Sequence, residues 1–194
     1  NGDPKLRSMI HKRIQDQFGW TFTDGSYHDS IVTCGTAGAL TLAYMAVLGP
    51  GDEIIIPDPY FVIYPTLART VEAKAVLCDT YPDFRMTAER IEPLITSRTK
   101  AVLLNSPTNP TGVVLTKQEV VGIAELCSER NLLLITDEIY DEFVYPPTTH
   151  SSPASCSKDV LIIRGFGKTY GCTGWRMGYA VGPRRLIDEM SKLQ

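Results

Sequence analysis

The sequence predicts an α/β fold, a three-layer αβα sandwich in which helices cover both faces of a mostly parallel sheet. The first observation is that short apolar runs alternate along the chain with segments whose apolar residues recur at helical spacing. The second is the run 132–136, which has no polar side and is therefore expected to be a central strand covered on both faces. With 194 residues, the chain is long enough for one large domain with a substantial core.

The helices are predicted from apolar spacing and from residues that start or end helices. The first stripe ends at Gly19, and the glycine turn at Gly35 opens the second helix. Thr116 and Glu119 have the spacing of a capping box, which starts a later helix. Helices are predicted over 6–18, from 35 through 48, over 60–69, from 87 through 95, over 117–130 and from 184 onward.

Strands are predicted where short apolar runs lie between turn residues. These runs are 31–34, 53–56, 73–77, 100–105, 132–136, 160–163 and 178–181. Pro57 is expected to stop the second strand. For the aromatic residues Tyr60, Phe61 and Tyr64, core packing is expected for two of the three.

Composition excludes several function classes. The net charge of −3 gives no electrostatic reason to expect nucleic acid or an anionic membrane as a partner. No apolar run approaches a membrane span, and the first residues do not resemble a signal peptide. The five cysteines include no Cys-x-x-Cys pair, which favours reduced thiols and a cytoplasmic location. The three histidines lack metal-ligand spacing, so no metal site is predicted.

The segment 165–179 contains five glycines, the lysine Lys168 and, eight residues later, Arg176. A lysine on such a loop can bind phosphate, form a Schiff base or be a surface cation. A phosphate-binding loop of the Walker type would need glycine where Ile162 stands, so its backbone cradle is missing. Phe166, Tyr170 and Trp175 in the same segment argue against an ordinary exposed loop.

Unusual residues follow four of the predicted strands. The Gly35 turn, Asn109, Asp137 and Lys168 all lie at strand ends, and parallel sheets bring those ends to one edge. The Gly35 turn opens a helix whose free N–H groups favour an anion, and Asp137 could also serve as a local cap. Pyridoxal phosphate chemistry needs a lysine that forms an imine, an acid beside a ring nitrogen and an arginine for a phosphate. These strand ends and Arg176 supply all three, and so indicate that chemistry.

The motifs that carry this chemistry resemble those of the class I/II, fold type I, pyridoxal-phosphate aminotransferases. They are NSPTNPTG at 105–112, DEIY at 137–140, and GKTY with TGWRMGY between 167 and 179. The resemblance runs from Gly2 to the end of the chain. It implies that Lys168 forms the internal aldimine with pyridoxal 5′-phosphate and later moves a proton as base and acid. The other implied cofactor contacts are Asp137 to the ring nitrogen, Tyr140 and Asn109 to the ring oxygen, Phe61 on the ring face, and Thr36, Ala37 and Arg176 to the phosphate.

The sequence departs from the family pattern at two positions. Gly165 stands where many relatives carry a phosphate-binding serine, and Ala37 where some carry a hydroxyl or a lysine. The phosphate contact is therefore expected to rely on Arg176, Thr36 and backbone amides.

The resemblance implies that residues 1–194 are the cofactor-binding large domain of a homodimeric enzyme. The N-terminal arm and the small C-terminal domain are expected to lie outside this chain. The leading hypothesis is transfer of an amino group between an L-amino acid and a 2-oxo acid. The alternatives are a lyase or synthase on the same scaffold, and a ligand-sensing domain of a transcriptional regulator.

Overall fold

The computed structural model describes residues 2–194, which contain a seven-stranded sheet in the order β1-β7-β6-β5-β4-β2-β3. Its strands are β1 (His28–Cys34), β2 (Glu53–Asp58), β3 (Lys74–Asp79), β4 (Thr99–Asn105), β5 (Leu133–Asp137), β6 (Val160–Gly165) and β7 (Met177–Pro183). Strand β7 runs antiparallel to both β1 and β6, and the other neighbouring pairs are parallel. The mostly parallel sheet and the central position of β5 are confirmed.

Six α-helices in the described part of the chain cover both faces of the sheet. They are α1 (Pro4–Phe18), α2 (Gly35–Val47), α3 (Ile63–Thr70), α4 (Ala88–Ile91), α5 (Lys117–Glu129) and α6 (Arg184–Leu193). Helices α1, α4 and α5 pack in one apolar cluster with one face of the sheet, and α2, α3 and α6 pack in a second cluster on the other. The three-layer αβα arrangement is therefore confirmed. No helix within residues 2–194 combines the length and apolar character needed to cross a membrane.

Proline accounts for two differences between the predicted and observed elements. Strand β2 continues through Pro57 because β4 pairs with β2 only from Glu53 to Ile55, so the missing N–H of Pro57 costs no ladder bond on that side. Helix α4 is shorter than predicted, and a 3₁₀ turn, Glu92–Leu94, follows it. Pro93 in this turn cannot continue an α-helical hydrogen-bond ladder.

The aromatic residues beside α3 and in the lysine loop differ from expectation. Tyr64 is buried, but Tyr60 and Phe61 are 36% and 37% exposed, so core packing holds for one of the three. Tyr170 and Trp175 are 65% and 78% exposed, so the prediction that these residues argue against an ordinary exposed loop is wrong for both. Only Phe166 of that group packs against the core, where its ring lies 5.5 Å from the ring of Tyr179.

The register of the sheet brings the polar strand ends to one edge. Asn105 on β4 is paired with Asp137 on β5, and Asp137 is paired with Ile163 on β6. At the other side of the same edge, Gly165 on β6 is paired with Gly178 on β7. The segments that follow β4, β5 and β6, and the segment that precedes β7, therefore lie side by side at this edge.

Candidate active site

Asp137 ends β5 with its carboxylate buried inside the protein. The Tyr64 hydroxyl donates to Oδ2 at 3.0 Å, and the Ile139 backbone N–H donates to Oδ1 at 3.2 Å. Among residues 2–194, no lysine, arginine or histidine forms an ion pair with this carboxylate. Burial raises the pKa of Asp137 to about 6, although both hydrogen bonds act to lower it. The arrangement is a desolvated anion that lacks a cation.

Asn109 and Tyr140 meet in the loops that follow β4 and β5. The Asn109 Nδ2 amide donates to the Tyr140 hydroxyl at 3.3 Å, so two side chains from different loops present polar groups at one place. The loop carrying Asn109 is held by Asn105, whose Oδ1 accepts the Asn109 backbone N–H at 2.7 Å. The Asn105 Nδ2 in turn donates to the Asp137 carbonyl at 2.9 Å. Asn105 therefore fixes the Asn109 loop to the end of β5.

Lys168 and Arg176 line a cavity of about 60 Å³ together with Thr36 at the start of α2. The Lys168 Nζ also lies 5.6 Å from the centre of the Tyr140 ring, which places it near the Asn109–Tyr140 pair. The first N–H groups of α2, including those of Thr36 and Ala37, have no intrahelical partners. Two cations and a helix N-terminus thus surround one small cavity, which favours an anion.

Three glycines permit the close approach on which this cavity depends. A Cβ on Gly35 would lie 2.8 Å from Arg176 Nη2, so the guanidinium rests directly on the turn that opens α2. Gly178 is equally constrained, since a Cβ there would lie 2.4 Å from the Gly35 carbonyl carbon. A Cβ on Gly165 would lie 2.8 Å from Ile139 Cδ1 and 3.0 Å from Thr36 Cγ2. Ile139 and Thr36 therefore occupy the space that a side chain at position 165 would need.

The structure brings the predicted site residues to one edge of the sheet, in three linked groups. Asp137 contacts Tyr64, whose ring meets Phe61 at a centroid distance of 5.7 Å and an angle of 81°. Asn109 and Tyr140 form the second group, and the third is the cavity of Lys168, Arg176 and Thr36. Ala37 does not line that cavity with its side chain and offers only its backbone.

Sequence reasoning assigned no role in the site to Tyr64 or Asn105. Asn105 stood inside a recognised motif, but its bridge between β4 and β5 depends on their pairing register. The bond from Tyr64 to Asp137 depends on how α3 packs on the sheet, which no local pattern encodes. The sequence also did not predict the buried ion pair of Glu138 with Arg164, because the two residues lie 26 positions apart.

The whole chain, residues 1–194, matches the family model described as aminotransferase class I and II. The chain belongs to this family. It is 38% identical over 192 residues to a probable aspartate aminotransferase of Methanocaldococcus jannaschii, an alignment that covers 99% of this chain and 49% of the relative.

Solved structures of aminotransferases have the same fold. A single mutant of Thermus thermophilus aspartate aminotransferase superposes with a TM-score of 0.93 at 37% identity, covering 99% of this chain and 50% of that one. An aromatic aminotransferase from Pyrococcus horikoshii gives 0.91 at 34% identity, covering 99% of this chain and 52% of that one. The chain therefore spans about half the length of the relatives it matches.

Proposed function

We propose that this chain is the pyridoxal-phosphate-binding part of an aminotransferase that moves an amino group between an L-amino acid and a 2-oxo acid. The observation that carries the proposal is the buried carboxylate of Asp137, which has no cation among residues 2–194 and lies at the sheet edge that also carries the cavity of Lys168 and Arg176. Relatives named as aspartate and aromatic aminotransferases support the reaction class.

The residues present fit pyridoxal phosphate at each of its polar groups. A protonated ring nitrogen supplies the cation that Asp137 lacks. Asn109 and Tyr140 provide an amide and a hydroxyl for the ring oxygen. Arg176, Thr36 and the N–H groups that open α2 suit a phosphate.

Each side chain has a distinct task in this proposal. Bound pyridoxal phosphate supplies the electron sink that makes the Cα–H bond of an amino acid acidic. Lys168 Nζ is the group that would hold the cofactor, and the same atom would accept the substrate proton and return it. Asp137 keeps a proton on the ring nitrogen, since a buried carboxylate strongly stabilises an adjacent cation. Phe61 would pack on one face of the ring.

We propose further that residues 1–194 form the large domain of a longer, homodimeric enzyme in the cytoplasm. The family membership and the match to about half of each relative support this division. Contacts to the substrate carboxylate would then come from outside this chain. A full-length reading frame that ends at Gln194 would contradict the proposed division.

Borohydride reduction of the loaded full-length protein, followed by peptide mapping, tests the cofactor site. We expect a pyridoxyl group on Lys168, and none after Lys168→Ala. Lys158, which lies over the Tyr27 ring away from the proposed site, is a matched control, and Lys158→Ala should leave labelling unchanged. Labelling of a lysine other than Lys168 in the wild type would overturn the assignment.

A further inference from the structure

In residues 2–194, Tyr64 is the only side chain that donates a hydrogen bond to the Asp137 carboxylate. The Tyr64 side chain is buried in α3, and its hydroxyl lies 3.0 Å from Oδ2. Burial and the neighbouring Asp137 charge hold the pKa of the Tyr64 phenol well above its ordinary value. The hydroxyl therefore keeps its proton and remains a donor, which stabilises the charged form of Asp137.

Tyr64 also contacts the aromatic residue proposed to cover the cofactor ring. Its ring meets that of Phe61 edge to face, at a centroid distance of 5.7 Å and an angle of 81°. Such edge-to-face pairs are favoured by the charge distribution of aromatic rings. A single buried side chain therefore touches both the carboxylate proposed for the ring nitrogen and the aromatic residue proposed for the ring face.

We propose that Tyr64 is a positioning residue that holds Asp137 ionised and in place while it fixes Phe61. This inference rests on the proposed function, and it assigns to Tyr64 a role that acts through other side chains. The groups that surround the carboxylate are consistent with it. Glu138 is the charged side chain that acts on Asp137 from the same strand end, and it is paired with Arg164. Burial raises the pKa of Tyr44 far above its ordinary value, so this phenol stays neutral. Tyr64 is thus the side chain that opposes the desolvation of Asp137.

Tyr44 on α2 offers a matched control. It is as buried as Tyr64, and the Asp137 charge contributes to raising the pKa of both phenols. Its hydroxyl, however, has no hydrogen-bond partner within residues 2–194. Tyr44→Phe and Tyr64→Phe therefore remove the same atom at similar depth, but only the second removes a bond to Asp137.

The first experiment titrates Asp137 in the cofactor-free full-length protein. Carbon-13 NMR of labelled aspartate carboxyls follows the titration, and the signal lost in Asp137→Asn assigns the resonance. We expect Tyr64→Phe to raise the pKa of Asp137 and Tyr44→Phe to leave it unchanged. No change in Tyr64→Phe, or equal changes in both variants, would overturn the proposal.

The second experiment separates a positioning role from a purely structural one. With pyridoxal phosphate, we expect Tyr64→Phe to lower kcat by about 10- to 100-fold, the usual effect of losing a hydrogen bond to a charged group. A cofactor methylated at the ring nitrogen cannot lose that charge and should restore most of the rate. An equal loss with both cofactors would refute the proposal. The titration needs no cofactor, so its result stays readable even if the borohydride label lands elsewhere.

Discussion

Asp137 and Glu138 are consecutive, fully buried carboxylates at the end of β5, but their surroundings differ completely. Asp137 accepts two hydrogen bonds and has no cation among the described residues. Glu138 is bound by Arg164, with nitrogen–oxygen distances of 2.9 Å from Nε and 2.8 Å from Nη2. Although burial alone would raise the pKa of Glu138, Arg164, His150 and Ser152 together lower it to about 2.

The Glu138 carboxylate is held in a network of hydrogen bonds within the protein. The Ser152 hydroxyl donates to Glu138 Oε1 at 2.6 Å, and the Thr136 hydroxyl lies 3.2 Å from the same oxygen. Arg164 continues the network to α1, where its Nη1 donates to the Gln17 side-chain oxygen at 2.7 Å. This side therefore ties β5, β6, α1 and the loop after Tyr140 to one another.

Of these two buried charges, Glu138 is structural and Asp137 is available for a ligand. A buried ion is strongly destabilising unless it is paired and hydrogen-bonded. Glu138 finds its cation inside the chain, so it contributes to stability. Asp137 does not, so its environment favours a bound cation, and a protonated ring nitrogen meets that need.

Arg164→Met is expected to have the largest effect, because it leaves Glu138 buried without its cation. The cost in the free energy of unfolding should be about 3–5 kcal/mol. Arg13→Met is the control, because Arg13 pairs with Asp141 and Glu142 but is 31% exposed, against 4% for Arg164. Its cost should stay below about 1 kcal/mol. Denaturant titration measures both, and similar costs for the two variants would contradict the contrast.

Asp137→Asn is expected to lower turnover of the loaded full-length enzyme by about 10²–10³-fold while cofactor stays bound. An amide cannot keep the ring nitrogen of the cofactor protonated, so that nitrogen loses its positive charge. Steady-state kinetics with several amino-acid donors measures the loss. With a cofactor alkylated at the ring nitrogen, the loss should shrink to a few-fold. If both cofactors show the same loss, Asp137 has only a structural role.

In the cofactor-free protein, the two carboxylates should change the free energy of unfolding in opposite directions as the pH rises. Asp137 has a folded-state pKa of about 6, above its ordinary 3.8, so its stabilisation is present below pH 3.8 and lost as the pH rises through 6. That loss is on the order of 3 kcal/mol. Glu138, with a pKa near 2, contributes stability above pH 4.5 that is lost as the pH falls.

Denaturant titrations from pH 2 to 8 measure both limbs of this profile. Asp137→Asn should abolish the decline between pH 4 and 6 and leave the acid limb intact. It should also make the cofactor-free protein more stable than the wild type at neutral pH, because the desolvated charge is gone. A decline between pH 4 and 6 that persists in Asp137→Asn would assign it to another group.

The sequence predicted the alternation of elements, the central strand β5 and the polar residues at the strand ends. It could do so because helical spacing, apolar runs and turn residues are local properties of the chain. The same holds for the capping box at Thr116, which the structure confirms. The motif residues at the sheet edge came from a family resemblance, and their gathering at one edge follows from the parallel topology.

Only the tertiary structure decided which partners the buried side chains of Asp137 and Glu138 have. Strand geometry sends the side chains of Asp137 and Glu138 to opposite faces, but it does not say which face holds a cation. The register of β5 on β6 decides that, because it pairs Asp137 with Ile163 and sets Arg164 beside Glu138. The packing of α3 on the other face then brings Tyr64 to Asp137. No local sequence pattern predicts the contact of Arg164 with Glu138 or that of Tyr64 with Asp137, because each joins segments that are distant along the chain.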